Sequence, residues 1–375
     1  MQVNFEFMST IVQKGQALKY DVIVGSGSYI PSQKILNTDF QNHTFYDSDG
    51  KILQKTNEKI IHQFEHITGI KERRYVTDDL STSDIAYFAA REALDSSSID
   101  RESLDQIIVA HNFGDVSKAD GKSEFVPSIA SRVKSHLKIK NPNTVAYDII
   151  FGCPGWLQAI IQADFYIRSG AAKRILVIGA DVLSRVADPH DRDSMIYADG
   201  AGAVILESIE SEQPIGILAH YTQTISDELA FILKMGKSNN PGHTGNDLFL
   251  KMQGRVLYEH ALKNVPKVIK ECLTKSGVAL EDVNKVLIHQ ANNKMDEAIL
   301  KRLFDECGVK QIPEHIMPMT ISWLGNSSVA TLPTLYDLIL KNKIKEHKIE
   351  AGNIIVFASV GAGVNINSVV YKVPK

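Results

Sequence analysis

The composition is that of an ordinary globular chain and excludes several protein classes. The 375 residues carry a net charge of −3, with 44% hydrophobic and 23% charged residues, which argues against a nucleic-acid-binding protein. No apolar run approaches the roughly 20 residues that a membrane span needs, and the N-terminus lacks the basic and apolar regions of a signal peptide. The three cysteines, Cys153, Cys272 and Cys307, fit neither a disulfide framework nor a metal site, so we expect a cytoplasmic protein without a metal.

Short apolar runs alternate with helical periodicity through the first half of the chain. Val3, Phe5 and Phe7 alternate with polar residues and indicate a short strand, and the polar segment 38–66 predicts a helix and loops near the surface. The further predicted strands are 21–31, 106–111, 144–150, 174–180 and 200–207. The further predicted helices are 83–93, 126–137, with Pro127 in its first turn, and 157–167.

The second half repeats this plan. Its predicted helices are 250–276, 294–304 and 328–341, and its predicted strands are 283–289, 353–358 and 366–371. Almost every strand is continuously apolar, which is typical of a parallel or mixed sheet that is covered on both faces. The sequence therefore predicts an α/β protein.

The two halves also resemble each other in sequence. Residues 104–112 are similar to residues 283–292, and in each half a helix and then an elbow with a small polar residue follow. The elbows are Gly152-Cys153 and Gly325-Asn326-Ser327. We interpret this as a duplication with an N-terminal half at 1–210 and a C-terminal half at 211–375, which would bring Cys153 and Asn326 to one site. The alternative is that this weak similarity between the halves arises without duplication, since strands and helices alternate in any α/β protein.

Cys153 is the candidate nucleophile. It lies between a predicted strand and a predicted helix, at the positive end of the helix dipole, where a thiol pKa is lowered and the thiolate is favoured. The alternative is a buried structural thiol, since free cysteine is among the most buried residue types.

Two further residues have the chemistry to assist a thiol. His289 follows a strand, at the edge of an open α/β sheet where ligands bind. Asn326 precedes a helix beside a glycine that permits close approach. Taken alone, His289 is more simply explained as a core or surface histidine, since the chain has 12 histidines. Taken alone, Asn326 is more simply explained as a helix N-cap. Only the trio of thiol, imidazole and carboxamide points to nucleophilic catalysis.

Seven stretches resemble a single family. They are Gly25-Ser26-Gly27-Ser28-Tyr29-Ile30-Pro31, Thr68-Gly69-Ile70-Lys71-Glu72-Arg73, Asp181-Val182-Leu183-Ser184-Arg185, Asp188-Pro189-His190-Asp191-Arg192, Ala198-Asp199-Gly200-Ala201-Gly202-Ala203, His289-Gln290-Ala291-Asn292 and Gly325-Asn326-Ser327-Ser328. From Asp21 onward the chain resembles the β-ketoacyl-acyl-carrier-protein synthase III family of the thiolase fold. The resemblance implies duplicated five-stranded mixed sheets in α-β-α-β-α layers.

The resemblance also implies a ketosynthase chemistry. Cys153 would hold an acyl group as a thioester, and backbone N–H groups at Cys153 and near Gly361 or Gly363 would bind the oxyanion. His289 and Asn326 would donate hydrogen bonds to the thioester oxygen of a second, malonyl- or β-ketoacyl-type substrate, whose carbanion then attacks the acyl group. Such a Claisen condensation requires no metal or redox cofactor. The implied partners are an acyl carrier protein and a second copy of the chain.

The chain departs from the family at residues that choose the substrate. Gln63 and Ile67 stand where typical members carry a Trp and an Arg that contact coenzyme A, so carrier-protein-bound substrates are favoured. Lys294 matches a basic position of the family that contacts the carrier protein. The alternative is that it is an ordinary solvent-exposed lysine on a helix. Val126 stands where the family often has a Phe that crosses the dimer and limits acyl length, which predicts chains longer than acetyl.

The long polar segment 38–66 and the N-terminal extension complete the departures. Together they resemble ketosynthases of secondary metabolism, such as those that form alkyl cyclohexanediones, the precursors of dialkylresorcinols. The alternative within the family is initiation of fatty-acid synthesis. The alternatives from other classes are a Cys-His-Asn thioester hydrolase and a non-catalytic ketosynthase partner.

Overall fold

The computed structural model describes residues 18–375, and the strand predicted at Val3, Phe5 and Phe7 lies outside them. In chain order the strands are β1 (Leu18–Tyr29), β2 (Gln33–Leu36), β3 (Glu72–Tyr75), β4 (Gln106–Ala110), β5 (Asp115–Val116), β6 (Ser123–Glu124), β7 (Val145–Ile149), β8 (Arg174–Val182), β9 (Asp199–Ser211), β10 (Gly216–Thr224), β11 (Leu233–Gly236), β12 (Phe249–Met252), β13 (Lys285–Ile288), β14 (Ile354–Gly361) and β15 (Asn365–Lys372). The α-helices are α1 (Asn57–Thr68), α2 (Thr82–Ser97), α3 (Ile129–His136), α4 (Gly155–Arg168), α5 (Gly254–Ser276), α6 (Asn293–Cys307), α7 (Ile321–Leu324) and α8 (Thr331–Leu340). In this described range, no helix combines the length and the apolar character needed to cross a bilayer.

Two mixed sheets carry the fold. The first has the strand order β1-β9-β8-β4-β7, and the second has the order β10-β15-β14-β13. In both sheets the first two pairings are antiparallel and the third is parallel. The predicted duplication of a mixed sheet is therefore present in the pairing pattern itself.

The second sheet differs from the prediction by one strand. Among the described residues the second sheet has four strands, and beside β13 lies a turn whose Ile316 carbonyl accepts one hydrogen bond from the Val286 N–H at 2.9 Å. Pro313 and Pro318 flank this segment, and a proline cannot donate to a strand ladder. The strands of the first sheet end at Ser211 and those of the second begin at Gly216, but the division into two domains stays a prediction.

The sheets and helices stack in five layers. Helices α2 and α3 cover the outer face of the first sheet, and α5 and α6 cover the outer face of the second. Helices α4 and α8 lie between the two sheets, where Trp156, Leu335 and Phe357 share one buried cluster. Each middle helix follows one of the two elbows, so this layer brings the elbows together.

Four predicted elements differ in detail. The helix predicted from residue 250 begins at Gly254, because Phe249–Met252 pairs with Leu233–Gly236 in a hairpin. Pro127 lies before the Ser128 N-cap of α3 and not in its first turn. The predicted helix 328–341 is α8 preceded by a 3-10 turn over Ser328–Ala330. The segment 38–66, predicted to lie near the surface, also contributes to the core, since its residues Phe40, Phe45, Ile60 and Phe64 are buried in one hydrophobic cluster.

Candidate active site

Cys153 lies in the sharp turn between β7 and α4. Gly152 adopts a φ of +68° there, a left-handed conformation that glycine reaches without strain. The end of β14 closes on the same turn, because a Cβ on Gly361 would lie 2.5 Å from the Cys153 backbone nitrogen and a Cβ on Gly152 would lie 2.7 Å from the nitrogen of Ala362. Glycines at 152 and 361 thus let the two halves of the chain meet at the thiol.

His289 is held at the end of β13. Its backbone N–H donates to the Ala358 carbonyl at 2.8 Å, and the residue is 2% exposed. Its Nδ1 is buried and has no hydrogen-bond partner among residues 18–375.

Asn326 is fixed through its backbone and through its side-chain oxygen. Its N–H donates to the Ile196 carbonyl at 3.0 Å, and its carbonyl accepts from the Ala198 N–H at 2.8 Å. Its Oδ1 accepts from the Ser328 N–H at 2.8 Å. Because the oxygen of the carboxamide is occupied in this way, the Nδ2 group is the part that is left to act as a donor.

One cavity contains all three side chains. This Cys153 cavity, of about 440 Å³, is lined by Cys153, His289 and Asn326 and is mainly apolar elsewhere. Its larger apolar lining residues are Phe113, Ile150, Leu183, Phe231, Leu233 and Leu250. The structure therefore brings together the predicted nucleophile, imidazole and carboxamide.

A second cavity of about 480 Å³ opens between α1 and the starts of α5 and α6. This α1 cavity is lined by Gln63 and Ile67, the two departures from the family pattern, and by Arg192 and Arg255. The residues that line both cavities are Met252, Leu257, Ala291, Met295 and Asn326. The two cavities thus share one wall beside the candidate catalytic groups.

The protonation states of the thiol and the imidazole are set by burial. Burial raises the pKa of Cys153 to about 11, Ser328 opposes this rise by hydrogen bonding, and the Asp181 charge adds to it. Burial lowers the pKa of His289 to about 4. At neutral pH both groups are neutral in the free protein, so the expectation that helix α4 alone favours a thiolate is wrong.

The remaining predicted site residues lie at different distances from this centre. Gly361 and Gly363 both line the Cys153 cavity, but only Gly361 closes on the Cys153 nitrogen. Lys294 is exposed at the start of α6, where its Nζ donates to His66 Nε2 of α1 at 3.1 Å. Val126 is 88% exposed and lies outside the Cys153 cavity of its own chain.

Sequence reasoning missed several residues around the thiol. Ser328 Oγ donates to Cys153 Sγ at 3.6 Å and accepts from Asn112 Nδ2 at 3.1 Å. Asn112 in turn binds Asp181. The internal similarity of residues 104–112 and 283–292 was the available signal for Asn112, since it places this residue near the position that corresponds to His289.

Comparisons with known proteins agree with the geometry. The family model for 3-oxoacyl-[acyl-carrier-protein] synthase III matches residues 147–224, and the model for the C-terminal part of that enzyme matches residues 273–373. The β-ketoacyl-[acyl-carrier-protein] synthase III of Ehrlichia canis is 33% identical over 92% of this chain and 97% of its own length.

The enzyme of the same name from Aquifex aeolicus is 32% identical over 93% of this chain and 98% of its own length. A crystal structure of the Aquifex aeolicus synthase aligns with a TM-score of 0.76 at 30% identity, covering 94% of this chain and 99% of that one. The chain therefore belongs to the β-ketoacyl-acyl-carrier-protein synthase III family, which consists of condensing acyltransferases of the thiolase fold.

Proposed function

We propose that this condensing enzyme joins an acyl group longer than acetyl, held on Cys153, to a second carrier-protein-bound thioester. The product class that we propose, reached when the joined chain then cyclises by a second C–C bond, is an alkyl cyclohexanedione, the precursor of a dialkylresorcinol, in secondary metabolism. The observation that carries the proposal is the pair of cavities that share a wall at Asn326. One cavity holds the nucleophile, and the other gives a second substrate a route to the same centre.

The proposed reaction has two stages. In the first, the Cys153 sulfur attacks the carbonyl of an acyl thioester, a new C–S bond forms, and the carrier thiol leaves with the proton. The Cys153 N–H and a backbone N–H at Gly361 or Gly363 stabilise the oxyanion.

In the second stage, a malonyl-type thioester loses CO2 or a β-ketoacyl thioester loses a proton. His289 and the Asn326 Nδ2 group donate to the resulting enolate oxygen. The carbanion attacks the carbonyl of acyl-Cys153, a C–C bond forms, and the C–S bond to Cys153 breaks. The sulfur regains a proton, which is the one lost by the β-ketoacyl thioester or, after decarboxylation, one from water. Imidazole and carboxamide suit this task because both are neutral donors at neutral pH, and burial holds the pKa of His289 at about 4.

The size and lining of the Cys153 cavity support a long acyl chain. Pockets of about 300–1,000 Å³ accommodate drug-sized ligands, and the Cys153 cavity of about 440 Å³ is in this range. Its apolar lining favours an alkyl chain, because burying a methylene contributes about 0.8 kcal/mol. An acetyl group would leave most of this surface uncovered.

The α1 cavity supports a carrier protein over free coenzyme A. Gln63 accepts a hydrogen bond from Lys55 at 2.9 Å, and Ile67 is 42% exposed, so neither offers an adenine a stacking surface or a guanidinium. Lys294 and His66 stand together nearby. Together with Arg192 and Arg255, they present basic groups to an acidic carrier.

A second candidate function is the initiation of fatty-acid synthesis. The relatives from Aquifex aeolicus and Ehrlichia canis carry the name β-ketoacyl-[acyl-carrier-protein] synthase III, which favours it. It predicts efficient acylation of Cys153 by acetyl-coenzyme A and condensation with a malonyl carrier protein.

The decisive experiment is intact-protein mass spectrometry after exposure to acetyl, octanoyl and dodecanoyl thioesters, each on coenzyme A and on a carrier protein. We expect the longer carrier-bound chains to acylate the protein and Cys153→Ala to stay unmodified. Acylation by acetyl-coenzyme A alone would overturn the proposal in favour of fatty-acid initiation. Product analysis with a β-ketoacyl partner then separates a condensing enzyme, which makes a new C–C bond, from a hydrolase, which releases only free acid. A Cys153 that no thioester acylates would indicate a non-catalytic partner subunit.

The proposal includes a homodimer in which Val126 reaches the partner's acyl cavity. Within residues 18–375, strand β7 is an edge strand that pairs only with β4. Val145 of this strand, Ile150 directly after it and Phe165 of α4 are 55%, 61% and 57% exposed. Such a surface suits association with a second copy.

Replacing Val126 tests this arrangement. We expect Val126→Phe to reduce acylation of Cys153 by dodecanoyl thioesters about 10-fold or more, since a ring that overfills a cavity costs about 1–3 kcal/mol, and to leave acetyl transfer unchanged. The measurement is the acylation rate of each chain length, with light scattering to establish the dimer. Equal losses for both lengths, or a monomer in solution, would contradict it.

A further inference from the structure

A chain of hydrogen bonds reaches the Cys153 sulfur from the first half of the molecule. The Asn112 backbone N–H donates to Asp181 Oδ1 at 2.8 Å, and Asn112 Nδ2 donates to Asp181 Oδ2 at 2.8 Å. The same Nδ2 group donates to Ser328 Oγ at 3.1 Å, and Ser328 Oγ lies 3.6 Å from Cys153 Sγ. The four residues come from four separate segments of the chain.

The donors and acceptors of this chain leave two acceptors for the Ser328 hydrogen. An amide nitrogen acts only as a donor, so Asn112 Nδ2 uses one hydrogen on Asp181 and the other on Ser328. Ser328 Oγ is therefore an acceptor toward Asn112, and its own hydrogen can go to the Cys153 sulfur at 3.6 Å or to the Asp181 carboxyl. A hydroxyl that donates to sulfur stabilises a thiolate more than a thiol.

The backbone of Ser328 is shaped for this contact. Ser328 has a φ of +53°, which is uncommon for any residue except glycine and is maintained only where the surroundings impose it. The Ser328 N–H donates to Asn326 Oδ1 at 2.8 Å, and Ser328 is 4% exposed. The neighbouring Ser327 instead faces Thr331, at 3.5 Å between their hydroxyl oxygens, so only one of the two serines approaches Cys153.

We propose that Ser328 is a positioning residue for the nucleophile, whose hydroxyl is oriented by Asn112 and Asp181 so that it stabilises the Cys153 thiolate. The Cys153 N–H favours a negative charge on the sulfur, but burial opposes it more strongly. The titratable groups that face the sulfur or line its cavity are Asp181 at the end of β8, Tyr197 before β9, Lys234 of β11 and His289 at the end of β13. The Asp181 charge disfavours the thiolate, and burial keeps Tyr197 and His289 neutral.

The test is the pH dependence of Cys153 alkylation by iodoacetamide, followed by peptide mass spectrometry, which separates Cys153 from Cys272 and Cys307. This measurement needs no thioester, so it can succeed or fail independently of the proposed function. We expect Ser328→Ala and Ser328→Gly to slow alkylation at pH 8 about 10-fold, the effect of raising a thiol pKa by about one unit. Alanine removes only the hydroxyl, and glycine removes the whole side chain but accepts the φ of +53° without strain. A loss of reactivity that both variants share is therefore due to the hydroxyl, and thermal unfolding of both shows that they are folded.

Two further variants complete the design. Asn112→Ala should slow alkylation about 3-fold, because Ser328 keeps its hydroxyl and loses only its orientation. Ser327→Ala is the matched control and should leave the alkylation profile unchanged. A Ser328→Gly variant with the wild-type alkylation profile would overturn the proposal and assign the Ser328 hydrogen to the Asp181 carboxyl. An equal effect of Ser327→Ala would also overturn it.

Discussion

At the scale of single residues, burial sets the protonation state of His289. The residue is 2% exposed, and burial lowers its pKa to about 4, whereas a histidine in an unfolded chain titrates near 6.5. In the role that we propose, the neutral imidazole donates its one N–H hydrogen to the enolate oxygen. The same burial makes the folded protein sensitive to acid.

We predict a loss of stability from His289 between pH 6.5 and pH 4. As the pH falls through this range, the unfolded chain binds a proton at this position before the folded protein does, so the free energy of unfolding decreases. The full loss is about 3 kcal/mol at pH 4 and below. Comparing urea denaturation of the wild type and His289→Gln at pH 7 and at pH 4 isolates this contribution, because other groups titrate in both proteins. The same stability difference at both pH values would contradict the prediction.

At the scale of elements, the hairpin β11–β12 lines part of the Cys153 cavity, and one lysine of this hairpin binds it to the segment before β9. Lys251 Nζ contacts Asp188 Oδ2 at 2.5 Å, Asp191 Oδ2 at 3.1 Å and Asn239 Oδ1 at 2.8 Å. Asp188 is 1% exposed. Although burial acts to raise it, the hydrogen bonds from Lys251 and from the Asn239 N–H hold the pKa of Asp188 below its ordinary value.

Lys251→Met should destabilise the protein by about 3 kcal/mol at pH 7, because it leaves a buried carboxylate without its cation. The pKa of Asp188 is lowered in the folded state, so the ion pair stabilises the protein above pH 4 and its contribution is lost as the pH falls further. The penalty of the variant should therefore shrink below pH 4. Lys234→Met, on the same hairpin but exposed, is the control and should change stability by less than about 0.5 kcal/mol. Equal penalties for both variants in thermal unfolding would refute this assignment.

At the scale of the whole molecule, a buried pair of carboxyl groups joins the two sheets. Asp21 of β1 is 0% exposed and Asp164 of α4 is 1% exposed. Asp164 accepts from Arg168 at 2.7 Å and lies 3.4 Å from His220 of β10. Burial, followed by the neighbouring Asp164, raises the pKa of Asp21 well above its ordinary value. Asp164 thus carries the negative charge and Asp21 carries the proton.

Asp21→Asn should stabilise the protein at alkaline pH. The unfolded chain ionises Asp21 near pH 3.9, so above this pH folding must take up a proton, and stability decreases as the pH rises toward the folded pKa. An asparagine removes this requirement and should add about 2 kcal/mol to the free energy of unfolding at pH 8. Below pH 4 the difference should vanish. Asp164→Asn, which deprives Arg168 and His220 of their partner, should destabilise instead; a stabilising Asp164→Asn would disprove the charge assignment.

Much of the fold could be predicted because its strands are long and buried on both faces. In β8, every residue from Ile175 to Val182 is buried, and such a run is recognisable without knowledge of its neighbours. The hairpin β11–β12 could not be predicted, since each strand has four residues and the second runs directly into the periodicity of α5. Pro127 was misplaced because proline is compatible both with the first turn of a helix and with the residues before it.

The candidate site could be predicted only in part, for a related reason. Cys153, His289 and Asn326 each follow or precede a recognisable element, so their motifs mark them in the sequence. The state of the thiol could not be predicted, since it depends on burial and on Asp181 and Ser328, which approach from distant segments. The Ser328 contact spans 175 residues of sequence, and no spacing rule encodes it.

The shared wall between the two cavities has a consequence for how this enzyme could diversify. Met252 and Met295 are two of its five residues, and methionine is an unbranched, adaptable side chain that fills irregular space. A change in this wall that enlarges one cavity reduces the other. Under the proposed function, a single substitution at Met252 or Met295 would therefore alter both the acyl chain that fits beside Cys153 and the path by which the second thioester enters.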